Sequence, residues 1–167
     1  MSWKRVLVFV LLHLAAGAAT AAPDDVAAFP APLPGWKAGE VAVTESREDL
    51  LGMPVLRHRL LREYKATDGG AGLAIMIDSF DCIATTVIDS LHGDATFRDQ
   101  NRTTMRPVTV KGHNAMEGFG ADGKRDMVSV KVSSCGMVSV GGPNTPPAAL
   151  DAYLNLLDLE RIGRIGQ

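Results

Sequence analysis

Several stretches after residue 37 alternate apolar and polar residues with the period of two that a half-buried strand requires. In "EVAVTE" Val41 and Val43 stand between polar neighbours, and in "VLRHRLLREYK" Leu56, His58, Leu60 and Tyr64 share one face. In "MVSVKV" Val128, Val130 and Val132 point one way while Ser129, Lys131 and Ser133 point the other, the pattern of a sheet with one wet face. "LAIMI" is a continuous apolar run, and "VTVKG", "NAMEGFG" and "MVSVGG" complete the set of strands. "TDGGAG", residues 67–72, places three glycines after an aspartate, which makes a tight hairpin turn because glycine accepts positive φ. A phosphate-cradling loop would need a following helix and a lysine beside a serine or threonine, and a strand follows instead. Further turns are expected at Gly112-His113, Asp122-Gly123 and Ser134-Cys135-Gly136.

The periodicity changes twice. In "DSFDCIATTVIDSLHG", residues 78–93, Ile83, Val87 and Leu91 recur at four-residue spacing with Ala84 and Ile88 beside them, as on the buried stripe of a helix. Asp78, Ser79 or Asp81 would cap its start and Gly93 would close its end. The segment "DATFRDQNRTTMR" that follows reads as a polar, irregular connection. Near the C-terminus Thr145 before Pro146 reads as an N-cap with proline at the first helical position, and Leu150, Tyr153, Leu154 and Leu157 form a packing stripe. Asp158 caps or breaks this helix. Strands, helix, strands, helix with short connections predict an α+β domain, a mainly antiparallel sheet of six or seven strands with two covering helices.

The start of the chain changes the setting in which this domain is read. Basic "MSWKR" precedes an apolar run of about 14 residues, too short to cross a bilayer comfortably and suited to a signal-peptide core, with Ala19-Thr20-Ala21 as the cleavage site. The expected organisation is a signal peptide over 1–21, a proline-rich arm over 22–36 and one domain over 37–167. The arm carries Pro23, Pro30, Pro32 and Pro34 and is expected to be extended rather than part of the core. No cysteine lies near the cleavage site to accept lipid, so the product is expected to be periplasmic or secreted, with no transmembrane segment after cleavage. Losing Lys4 and Arg5 from the 17 basic residues leaves 15 against 19 acidic ones, a net charge of −4. That balance gives no electrostatic footprint for nucleic acid.

"PLPGW" before the first strand, "VTVKGHNA" between strands, the pair "MVSVKV" and "MVSVGG", and a C-terminal "LLDLERI" together resemble the PsbP/Mog1-like group of small α-β-α domains. The resemblance implies a binding or accessory module and carries over no catalytic residue.

Candidate chemistry is sparse. Cys82 and Cys135 are the two cysteines, and an oxidising compartment favours their pairing; a reactive thiol at a helix start or a ligand pair are the other readings. His113 and Met116 in "HNAME" offer imidazole and thioether ligands that suit copper. Arg57, Arg59 and Arg62, with Lys65, form the densest basic patch, and Arg57 and Arg59 share a strand face that can grip an acidic partner. Asp78 and Asp81 read as helix-start carboxylates rather than an acid/base pair, and the serines at 129, 133, 134 and 139 lie in or beside a hairpin without a nucleophile elbow. The expected function is an exported, non-catalytic module without a cofactor that binds a protein partner in the periplasm or cell envelope, or a small ligand. The alternative is a periplasmic copper-binding protein using His113 and Met116.

Overall fold

A computed structural model describes residues 22–50, 53–80, 104–142 and 144–165. Seven strands, β1 (Trp36–Leu50), β2 (Met53–Ala66), β3 (Gly72–Phe80), β4 (Thr104–Val110), β5 (His113–Phe119), β6 (Arg125–Lys131) and β7 (Gly136–Gly141), form one sheet in the order β1-β2-β3-β7-β6-β5-β4. Every neighbouring pair is antiparallel. Among the described residues three short helices accompany it: α1 (Pro23–Ala27), α2 (Pro147–Leu156) and α3 (Leu159–Ile162).

Register assigns each side chain to a face, because residues directly opposite one another across a sheet point the same way. Val43, Leu60, Ile77, Val138, Val130, Ala115 and Val108 form one continuous row across all seven strands. This is the first face, and Leu150, Tyr153 and Leu154 of α2, Leu157 just after it, and Leu159 and Ile162 of α3 complete its core. The expected stripe on the C-terminal helix is therefore the packing surface. Its start lies one residue later than the sequence suggests: Pro146 is the N-cap, while the Thr145 hydroxyl donates toward the carbonyls of Gly72 and Gly142, tying the helix start to β3. Asp158 ends up capping α3, accepting from the Arg161 amide at 2.9 Å.

The arm departs from its expected role. Residues 23–27 make one helical turn, and Ala28 and Phe29 are buried in the core. Two tyrosines hold this stretch: the Tyr64 hydroxyl donates to the Pro30 carbonyl at 2.9 Å, and the Leu33 amide donates to the Tyr153 hydroxyl at 3.2 Å. Proline denies the arm its own ladder of donors, so its polar backbone groups are satisfied by side chains of β2 and α2 instead.

A second departure concerns Asp78 and Ser79. Both belong to β3, so they do not cap a helix; the rest of that expected helix lies outside the described residues, as does the signal peptide. A third is the wet face. Ser129 and Ser139 stand opposite each other on β6 and β7, are 5% and 6% exposed, and share a hydrogen bond of 2.8 Å. Met116 and Asp78 on the same side are buried as well, so the middle of the sheet is covered on both faces. Mutual hydrogen bonding is what lets two hydroxyls occupy such a position.

Candidate functional site

The second face carries the basic patch. Arg59 lies directly opposite Asp78 across the β2–β3 ladder, and Arg57 lies two residues along the same face. Each guanidinium uses its Nε and one Nη on the same carboxylate: Arg57 at 2.8 and 2.9 Å, Arg59 at 2.7 and 3.3 Å. Asp78 is 2% exposed, Arg57 is mostly covered, and Arg59 keeps 30% of its side chain in solvent. Arg57 also stacks over the Phe80 ring, 5.6 Å from its centroid. A bidentate fork on a carboxylate is the strongest pairing a guanidinium makes, and here two forks converge on one acid of a central strand. Arg59 spends its Nε and one Nη on Asp78 while part of its side chain stays in solvent.

Arg62 does not join this group. It stands on the first face, in the row of Ile75 and Val140, donates to the Gly39 carbonyl at 3.0 Å and covers the Tyr64 ring. The alternation of β2 that unites Arg57 with Arg59 sends Arg62 the other way.

His113 and Met116 are likewise parted, since three residues along a strand is an odd step. His113 lies on the first face, its Nδ1 3.2 Å from the Lys131 carbonyl and its Nε2 3.8 Å from Glu160. An open polar cavity of about 310 Å³ lies beside it, lined in part by Asn114, Lys131 and Ser133. Met116 is buried on the second face opposite Pro107 and Ser129. Among the described residues no group of three or more histidine, cysteine or acidic side chains is arranged to hold a metal ion.

Cys135 lies in the β6–β7 connection and is buried, and its carbonyl accepts from the Phe80 amide at 2.8 Å. Among the described residues no cysteine is a free thiol. Cys82, two residues beyond Phe80, lies outside the described residues.

A second ionic group escaped the sequence reading. Glu117 on β5 is buried and accepts from Arg125 on β6 at 2.7 Å and from Arg106 on β4. Arg125 reaches on to Asp151 of α2. Burial pushes the Glu117 carboxyl up, but the bonds from Arg125 and then Arg106 outweigh it and hold the group below its ordinary range. No local signal marks this chain in the sequence, because its four members come from four separate elements.

A smaller cavity of about 210 Å³ opens where β2, β3 and β7 meet, floored by Ala74, Gly141 and Gly142 and rimmed by the Glu63–Lys65 pair. Among the described residues no helix is long and apolar enough to cross a membrane. No family model, curated protein or solved structure matches the chain.

Proposed function

We propose that the chain is an exported, non-catalytic accessory module that binds a protein partner, and that Arg59 is its anchor for an acidic side chain of that partner. One observation carries the reading: Asp78 holds the Arg57 and Arg59 guanidiniums on one sheet face, with Arg59 left partly in solvent. Such preorganisation lowers the entropy lost when an anion docks, because the long arginine side chain is already fixed. The resemblance to PsbP/Mog1-like domains and the signal-like leader support the same reading. In that compartment Cys82 and Cys135 pair, closing the connection after β3 onto the β6–β7 turn.

Capture from an exported fraction tests it, with the chain from Ala22 onward as bait. The expected result is a retained protein that is lost when the bait carries Arg59→Gln and kept with Lys65→Gln, a change at an exposed lysine outside the clasp. Arg57 still satisfies Asp78 in the Arg59 variant, so the bait remains folded. Equal retention by the two variants, or nothing retained by the parent, overturns the proposal.

A further inference from the structure

The two edges of the sheet are built differently. A free strand edge offers unpaired N–H and C=O groups to any other chain, and proteins normally blunt it with short strands, proline or bulges. β4 follows that rule: it has seven residues and carries Pro107 in its middle. β1 does not. It runs for 15 residues, its one irregularity falls between Ala38 and Val41, and from Val41 to Leu50 it pairs with β2 without interruption. Among the described residues only β2 pairs with it.

The side chains on this edge also discriminate between ways of pairing it with itself. Two copies joined antiparallel about a two-fold axis normal to the sheet keep their helices on one side and continue the sheet through the contact. Centring that axis on Ser46 aligns Ala42 to Leu50 of each copy and sets Glu45 opposite Arg47 of the other, twice by symmetry. Moving the centre by one residue opposes Glu45 to Glu45 or Arg47 to Arg47, which like charges on one face disfavour. Glu45 is 68% exposed with only a 3.5 Å contact to His58, and Arg47 is exposed, so both are positioned to make the exchange.

We infer that β1 is a homodimer interface, in which two copies join their sheets edge to edge through Ala42–Leu50 in the register that pairs Glu45 with Arg47. The contact leaves the Arg59 face open on each copy. Sedimentation and native mass spectrometry of the mature chain up to about 100 µM test it, with circular dichroism to confirm that each variant is folded. The expected result is a dimer that Arg47→Glu weakens about tenfold or more, since reversal replaces two attractions by two repulsions. The charge-swapped Glu45→Arg/Arg47→Glu chain restores it. A parent chain that stays monomeric over the whole range overturns the inference. So does a dimer that Arg47→Glu leaves unchanged, or one that the swap fails to rescue.

Discussion

Three positions matter out of proportion to their size. Asp78 is the buried acid that Arg57 and Arg59 share, so Asp78→Asn takes away a charge that both part-buried guanidiniums grip with two bonds each. A loss of about 3–5 kcal/mol in urea unfolding is expected, with Arg59→Gln costing less because it removes a partly exposed member. Tyr64 is fully buried, and burial, as the largest cause, pushes its hydroxyl up to about 12. Its proton is therefore held more tightly in the folded chain than in the unfolded one, whose tyrosines titrate near 10. The stabilisation is complete below that value and is lost as pH rises toward 12. Chemical denaturation across this window should show the decline, and Tyr64→Phe should flatten it in part. Tyr153, also raised by burial, supplies the remainder. Gly141 has φ of +154° and a Cβ there would stand 2.2 Å from the Asp126 carbonyl oxygen. Gly141→Ala should cost about 2 kcal/mol or more in the same assay, since backbone rather than a flexible side chain must yield.

At the level of elements, the sheet and its hairpins were legible because alternation is a direct consequence of strand geometry, and it placed Leu60, Val128 and Val130 on the buried face as observed. Glycines 69 and 112 adopt the positive φ that their turns demand. What alternation alone could not convey is whether the other face meets solvent, and Ser129 departs from the expected wet row for that reason: a serine looks the same in a wet row and in a buried pair bonded to Ser139. Asp78 departs from its expected place through a real ambiguity, because Asp-Ser-Phe-Asp before an apolar stripe is a helix-start signature, yet the ladder with β2 extends to Phe80 and that with β7 to Ser79, and the two arginines on β2 hold the aspartate in the strand. The pairing of Arg57 with Arg59 was readable, whereas their common acid came from 19 and 21 residues away. The Glu117 group joins β4, β5, β6 and α2 and has a pH consequence of its own. Its carboxyl titrates lower when folded than when unfolded, so the stability it confers is present above its ordinary value near 4.5 and drains away as pH falls through the folded one. Acid titration of thermal stability should show this loss, and Glu117→Gln should diminish it while lowering stability at neutral pH.

For the molecule as a whole, the proposed Cys82–Cys135 link would close a loop of about 50 residues that contains β4, β5 and β6, and the chain-entropy model values such a closure at about 4 kcal/mol. Purified mature protein should have an intact mass two hydrogens short of the reduced chain, and reduction should lower its melting temperature. A full complement of alkylatable thiols in the exported protein would refute the link. The order of strands adds a constraint on how the chain assembles. β3 is bordered on one side by β7, the last strand to be made, so Ile75 and Ile77 have no permanent neighbour on that side until residues 136–141 exist. A nascent or threaded polypeptide ending before Gly136 is thus unable to shut its own seam, and it stays loose for as long as that takes. Proteolysis of chains cut at successive C-terminal positions should reveal an abrupt gain of resistance only once this closing strand is included.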